Sequence, residues 1–130
     1  MTIFTHKGNL GSSPTLKRVT HKGREMTVAE MRVFFGRYKV NDDNDEIEQV
    51  GGYWLPVSLY GVKGEAAARH LRKGARVQVC GELREFYAKE DEAKDHPLFQ
   101  IVAEDVLPVL TRIESITFKQ RNPAEEPAAA

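Results

Sequence analysis

The chain has 130 residues, the length of one ordinary domain, and its hydrophobic content of 41% is enough to build a small core. Lys and Arg number 19, as do Asp and Glu, so the formal net charge is zero, which taken alone argues against a strongly basic nucleic-acid binder. The single cysteine, Cys80, excludes an internal disulfide, and no apolar run approaches the roughly 20 residues of a membrane span. A cytoplasmic single-domain protein is expected.

Apolar periodicity predicts five strands and one helix. In chain order they are a short strand before Gly8, strands over 26–35 and 53–60, a helix over 64–73, and strands over 75–84 and 98–107. Ala67 and Leu71 form the buried stripe of the helix, and Gly74 suits the left-handed position after its end. This order favours an all-β fold: a five-stranded closed or partly open barrel, with the helix between the third and fourth strands plugging one end. A β-rich α+β sandwich of similar order is the alternative.

The zero net charge is the sum of segments with opposite charge. Residues 1–40 have a balance of +6, 41–52 of −5, 53–88 of +3, 89–105 of −4, and 106–130 of zero. The acidic segments around 41–46 and 89–95 have the composition of loops, whereas the basic excess lies in predicted strands and the helix. This separation of charge has two interpretations. Either it reflects only solvated surface loops, or it leaves a basic face that is suited to a polyanion.

Aromatic residues fall on faces of the strands that are otherwise polar. Trp54 and Tyr60 share the outer face of the third strand, and Phe34 and Tyr38 lie on or near that of the second. Either these rings pack beneath loops or in a subunit interface, or they are stacking platforms for unpaired bases. Five basic residues flank the same face and are candidates for phosphate contacts: Arg32, Arg37, Lys39, Arg76 and Arg84.

No motif indicates catalysis or a cofactor. The chain has no phosphate-binding glycine loop, dinucleotide fingerprint or His-Glu-x-x-His helix. The four histidines are isolated from one another in sequence, so no metal site is expected. We expect a protein that is not an enzyme and that needs neither a metal nor a cofactor.

Five motifs in order resemble the bacterial single-stranded DNA-binding protein family. They are Gly-Asn-Leu-Gly at 8–11 followed by Pro14, Trp-Leu-Pro-Val-Ser-Leu-Tyr-Gly at 54–61, the 66–74 stretch ending Leu-Arg-Lys-Gly, Val-Gln-Val-Cys-Gly-Glu-Leu-Arg at 77–84, and Ile-Val-Ala-Glu-Asp-Val at 101–106. Together the motifs cover about residues 3–110.

The resemblance implies an oligonucleotide-binding (OB-fold) barrel at residues 1–112, followed by a C-terminal extension and short disordered tail at 113–130. It implies a homotetramer that wraps unpaired DNA in replication, recombination, repair or transfer, associated with the bacterial nucleoid. Trp54 and Tyr60 match the stacking positions of the family, Tyr38 lies near a third, and Phe86 or Tyr87 near a fourth. The resemblance adds Lys7, Arg72 and Lys73 to the candidate phosphate contacts.

Some features depart from the family. Pro56, in a Leu-Pro pair after Trp54, has no N–H to donate to a neighbouring strand, which predicts a bulge or an edge there. The first strand is more polar than usual, which leaves a dimer open beside the tetramer. The acidic, Phe-bearing tail tip is lacking, so recruitment of repair proteins through it is not expected. These departures suggest a divergent paralogue from a mobile element. The alternative function is an OB-fold adaptor in a primosome-like or mobile-element complex that binds mainly protein.

Overall fold

The computed structural model describes residues 2–86 and 98–120, and this part of the chain holds six strands and one α-helix. The elements are β1 (Thr2–Leu10), β2 (Thr15–His21), β3 (Arg24–Val40), β4 (Ile47–Tyr60), α1 (Gly61–His70), β5 (Arg76–Phe86) and β6 (Leu98–Pro108). A short 3-10 turn at Leu110–Arg112 follows β6.

Five of the strands pair in a ring. The sheet order is β1–β5–β6–β4–β3–β2, and β1 also pairs with β3, at Asn9 with Phe34 and at Leu10 with Val33. The β4–β6 pairing is parallel over Val57 to Leu59, and the other pairings are antiparallel. The predicted arrangement of five barrel strands with one helix after the third of them is therefore confirmed.

The sixth strand, β2, was not predicted from the sequence. It forms a hairpin with β3 through Lys22 and Gly23, whose φ angles of 52° and 78° are those of a two-residue turn that joins twisted antiparallel strands. Most side chains of β2 are exposed, so the strand carries no apolar alternation. Periodicity did not predict this additional strand, because β2 is held by its ladder to β3 and not by a buried face.

Several predicted boundaries also move. The helix begins at Gly61 and ends at His70, so the predicted end at Lys73 was wrong, although Ala67 and Leu71 are both buried as expected. Leu71 has extended backbone angles, and the chain from there to β5 is held by the bond from Gly74 N–H to the carbonyl of Leu10. The first strand is nine residues long and continues to Leu10, although it was expected to end before Gly8.

Pro56 lies in a regular part of β4. It pairs in register with Arg32, and the bulge between β3 and β4 lies instead between Arg37 and Tyr38. Of the two predicted possibilities at the proline, a bulge or an edge, the bulge was therefore wrong. The pairing of β4 with β6 begins only at Val57, so the missing N–H of Pro56 falls where β4 has no β6 partner.

The core lies inside the ring, and the two ends of the barrel differ. α1 covers one end, where Gly64 lies against the backbone of Ala29 and Leu59. Phe35, which is fully buried, lies six residues along β3 from Ala29, about 20 Å at the usual rise of a strand, and so belongs to the other end. Lys63 Nζ ties α1 to β6 by donating to the carbonyl of Glu104 at 2.8 Å.

The remaining segments lie outside the barrel. The acidic segment 41–46 is an exposed turn at the tip of the β3–β4 hairpin, as predicted. Residues Ile113, Ile116 and Phe118 line a groove of about 710 Å³ beside α1. No helix in the described ranges has the length and apolar character needed to cross a bilayer. The second predicted acidic loop, 89–95, and the predicted disordered tail fall outside the described residues.

Candidate nucleic-acid interface

Trp54 and Phe34 form an aromatic platform on the outer face of the barrel. They are directly paired across β3 and β4, and their ring centroids are 5.2 Å apart. The guanidinium carbon of Arg32 lies 5.5 Å from the centroid of the indole, within the range of a cation–π contact. Because the indole is still 48% exposed, it offers a large π surface to solvent next to a positive charge.

Gly11 provides the surface on which the indole rests. A Cβ at this position would collide with the Cζ3 atom of Trp54 and lie 2.6 Å from its Cη2 atom, so the ring lies directly over the glycine. The N–H of Gly11 donates to the carbonyl of Arg32 at 2.9 Å, which fixes the backbone beneath the ring. The absence of a side chain at residue 11 is therefore required for the observed position of Trp54.

Hydrogen bonds bring further basic residues to the edge of the platform. Arg76 Nη1 donates to Oδ1 of Asn9 at 3.4 Å, and Asn9 is the β1 residue paired with Phe34. Lys7 precedes Asn9 by two residues and so points to the same face of β1. At the other edge, the N–H of Lys73 donates to Oγ of Ser13 at 3.0 Å, two residues from Gly11. The structure thus brings together Arg32, Phe34, Trp54 and Arg76, with Lys7 on the same face of β1 and the backbone of Lys73 bonded to Ser13.

Most of the candidate phosphate contacts are not neutralised. Within residues 2–86 and 98–120, the four ion pairs are Lys17–Glu30, Arg18–Glu25, Lys63–Asp105 and Arg84–Glu82. Of the candidates, only Arg84 is in such a pair, at 3.3 Å. Arg72 also stabilises the end of α1, because its Nη1 atom donates to the carbonyls of Ala68, Arg69 and Leu71.

The other predicted stacking residues lie further away. Tyr60 is 41% exposed on the same face of β4 as Trp54, six residues or about 20 Å further along the strand. Tyr38 is 45% exposed, and its ring lies over Gly36, where a Cβ would be 2.8 Å from the Tyr38 hydroxyl. Phe86 and Arg84 are near the end of β5 opposite Arg76. Tyr87 falls outside the described residues.

Arg37 and Lys39 lie on the other side of the sheet. Side chains alternate along a strand, so Arg37 and Lys39 share the face of the buried Phe35, whereas Arg32 and Phe34 point outward. The guanidinium of Arg37 accordingly lies beside Gly51, its partner on β4. The prediction that all five basic residues flank one face was wrong for these two.

The motif that contains Asn9 and Gly11 does not by itself indicate a role for either residue. Both belong to the Gly-Asn-Leu-Gly stretch, and both act on the platform, one by holding Arg76 and the other by supporting Trp54. The sequence pattern likewise does not indicate Ser13, whose hydroxyl accepts from the N–H of Lys73. Gly11 could have been recognised as a glycine next to the end of a strand, because such a glycine often allows another group to approach the backbone closely.

We expect Gly11→Ala to displace the indole of Trp54 without unfolding the protein. The three atoms nearest to the added methyl would all belong to the indole ring of Trp54, which can rotate away. The displaced ring should shift the Trp54 emission maximum and weaken oligo-dT binding by at least about 5-fold, the loss of about one weak stacking contact. Fluorescence titration measures both quantities.

Ser12→Ala, at the exposed neighbouring residue, is the matched control for Gly11→Ala and should leave emission and binding unchanged. Unchanged emission and wild-type binding in Gly11→Ala would contradict the supporting role of Gly11.

The site has the geometry of a binding surface. Its exposed rings and exposed cations lie on strands of a small barrel with one helix, and no group of three or more His, Cys, Asp or Glu that could hold a metal occurs in the described part of the chain. Fold and site together define an oligonucleotide-binding barrel.

The comparison with known families agrees with this class. The model of the single-strand binding protein family matches residues 2–109, and the chain belongs to that family. The "Single-stranded DNA-binding protein" of Xanthomonas axonopodis pv. citri (strain 306) is 39% identical over 77 residues, which cover 59% of this chain and 40% of that protein. The protein of the same name from Corynebacterium glutamicum is 30% identical over 110 residues, 85% of this chain and 48% of the relative. The chain thus spans about half the length of these relatives, or less.

Solved structures share the fold. The small single-stranded DNA-binding protein from Streptomyces coelicolor superposes with a TM-score of 0.69 at 15% identity, covering 85% of this chain and 94% of that chain. The Plasmodium falciparum SSB in complex with ssDNA gives a TM-score of 0.64 at 19% identity, covering 84% and 95%. These similarities confirm the predicted OB-fold.

Proposed function

We propose that this protein binds single-stranded DNA without strong sequence preference, by stacking bases on exposed rings and holding phosphates with basic side chains. The observation that carries the proposal is the platform of Trp54 and Phe34 with Arg32 beside it, open to solvent on a barrel of the single-strand binding protein family. Every base has a π face, so stacking tolerates any sequence. No catalytic step is part of the proposal.

The phosphate contacts assigned to this site are Lys7, Arg32, Lys73 and Arg76, which surround the platform and form no ion pair among the described residues. Displacement of counterions by these side chains gives binding a dependence on salt, although the whole chain is neutral. Arg72 and Arg84 contribute less, because one caps α1 and the other is paired with Glu82.

Tyr60, Tyr38 and Phe86 extend the path of the strand beyond Trp54. Tyr60 lies on the same face of β4, so a strand stacked on Trp54 reaches it by crossing Pro56 and Ser58. Tyr38 lies on the outer face of β3 beyond Phe34, on the hairpin. Each ring is assigned one base, with Trp54 as the centre.

Titration with oligo-dT tests the proposal, because Trp54 is the only tryptophan. Bases stacked on the indole should quench its emission at low salt, and added salt should restore it. If the emission does not respond to oligo-dT at low salt, stacking at Trp54 is wrong, and a barrel that binds mainly protein becomes the better description. The expected cellular roles are those that expose unpaired DNA, namely replication, recombination and repair.

The protein is further proposed to act as a homo-oligomer. The edge of β1 that faces away from β5 pairs with β3 only at Asn9 and Leu10, which leaves most of this edge open to a second copy. The mass measured by light scattering distinguishes a tetramer from a dimer. A monomeric mass would remove the proposal of assembly and leave the binding site as described.

A further inference from the structure

A second group of aromatic rings lies at the end of the barrel opposite α1. Phe35 is at its centre and is fully buried, with Phe4 at 4.9 Å, His6 at 5.6 Å and Tyr53 at 5.8 Å between ring centroids. His6 is exposed, and Tyr53 is 42% exposed. Phe35 therefore forms the floor, and the rings of Tyr53 and His6 form a surface in contact with water.

Two cations continue this surface along the hairpin. Arg37 and Lys39 follow Phe35 at every second residue of β3 and thus point to the same face. Both are exposed, and neither forms an ion pair in the part of the chain that the structure describes, although the exposed Glu48 is the β4 residue opposite Lys39. Exposed rings beside exposed cations are the combination also found around Trp54, on the opposite face of the same two strands.

The hairpin separates the two faces by only a short distance. Residues 35–40 of β3 pair with β4 alone, since β2 pairs with β3 up to Glu30 and β1 pairs only with Val33 and Phe34. This part of the sheet is two strands wide, which is about 10 Å including both strand edges. Trp54 and Tyr53 are neighbours in sequence and point to opposite faces.

Charge on the hairpin favours an anionic occupant near its base. The carboxylates Asp42, Asp43, Asp45 and Glu46 are exposed at the tip and repel a polyanion, and Glu48 offsets part of the charge of Lys39, whereas Arg37, which lies opposite Gly51, attracts a polyanion below the tip. The attraction is therefore greatest beside Tyr53. A ligand with negative charge and flat apolar faces matches this surface, and unpaired DNA has both.

We propose that Tyr53, His6, Arg37 and Lys39 form a second nucleotide-binding surface, onto which a strand held at Trp54 continues after crossing the edge of the β3–β4 hairpin. This inference rests on the proposed function and adds to it a path over both faces of one hairpin. Tyr53 stacks a base, His6 borders it, and the two cations hold the adjoining phosphates.

Tyr53→Leu tests the stacking contact. Leucine still covers Phe35, so the fold is kept, but it has no π face. The affinity for oligo-dT of roughly 30 nucleotides should fall about 5- to 150-fold. Oligo-dT of roughly 5 nucleotides is near the lower end of the site size of one OB barrel and should quench Trp54 as it does in the wild type. Phe118→Leu is the matched control, because Phe118 is an exposed ring beside α1, and it should leave both affinities unchanged.

Arg37→Gln with Lys39→Gln tests the charges at two exposed residues. The slope of log K against log salt for the longer oligonucleotide should become shallower by about 1.4, because each phosphate contact on a single strand contributes about 0.7. Lys17→Gln with Arg18→Gln removes the same charge from β2, where both residues are already paired with glutamates, and should change the slope much less.

The second surface would be overturned if Tyr53→Leu bound the longer oligonucleotide with wild-type affinity, or if the salt slope of the arginine–lysine variant were unchanged. Quenching of Trp54 by oligo-dT in the same experiments would still uphold the proposed function. A lower mass of Tyr53→Leu in light scattering, with DNA binding unchanged, would assign this surface to contact with a second copy instead. Wild-type protein whose Trp54 does not respond to oligo-dT would remove the proposed function, and the second surface with it.

Discussion

Trp54→Ala is expected to weaken binding of oligo-dT by about 5- to 150-fold, the equivalent of about 1–3 kcal/mol for one stacked base. The loss should be similar for oligonucleotides of different sequence, because the indole offers a face and no hydrogen-bond pattern to the base. Since the variant has no tryptophan, fluorescence anisotropy of a labelled oligonucleotide is the measurement. Arg32 loses its cation–π partner in the same variant, which adds to the effect.

Trp54→Phe separates stacking from structural damage. It keeps an aromatic face above Gly11 and should retain most of the affinity, while circular dichroism should show the same fold for both variants. A Trp54→Ala protein that lost affinity for one sequence only would point to recognition of base edges and would contradict stacking.

Gly64→Ala is expected to destabilise the protein by about 3 kcal/mol or more, although alanine normally favours a helix over glycine by about 1 kcal/mol. A Cβ at this position would collide with the carbonyl oxygen of Leu59 and lie 3.1 Å from the backbone nitrogen of Ala29. Both atoms belong to barrel strands, so α1 must move away from the end that it covers. Urea unfolding followed by circular dichroism measures the change.

Glu65→Ala is the matched control for Gly64→Ala, since the adjacent Glu65 is exposed, and its stability should stay within about 0.5 kcal/mol of the wild type. A Gly64→Ala protein as stable as the wild type, or more stable, would show that α1 does not approach β4 as closely as described.

The fold was predictable wherever strands bury one face. Val33 and Phe35 on β3, and Val77 and Val79 on β5, recur at every second residue, and all four are fully buried. The helix was found from Ala67 and Leu71 for the same reason. β2 could not be found in this way, because its ladder to β3 stabilises it with almost no apolar burial. Periodicity detects buried faces, and it does not detect strands held mainly by backbone hydrogen bonds.

The site was predictable in its residue types and less so in its arrangement. Trp54, Phe34 and Arg32 come together because alternation along two paired strands decides their face, which sequence can provide. The same alternation, applied to residues 37 and 39, would have placed both on the opposite face. The supporting position of Gly11 depends on how the chain after β1 lies against β4, a long-range contact that no local pattern encodes. The mobile-element origin stays a prediction.

The separation of charge has a consequence for the speed of binding. Exposed cations lie on the strands, carboxylates lie at the hairpin tip, and the sum over the chain is zero. Beyond a Debye length of about 8 Å at physiological ionic strength, the fields of the two groups largely cancel. DNA at a distance therefore experiences little steering, and encounter proceeds at close to the rate of an uncharged pair. Salt then acts chiefly after contact, on how long a strand stays bound.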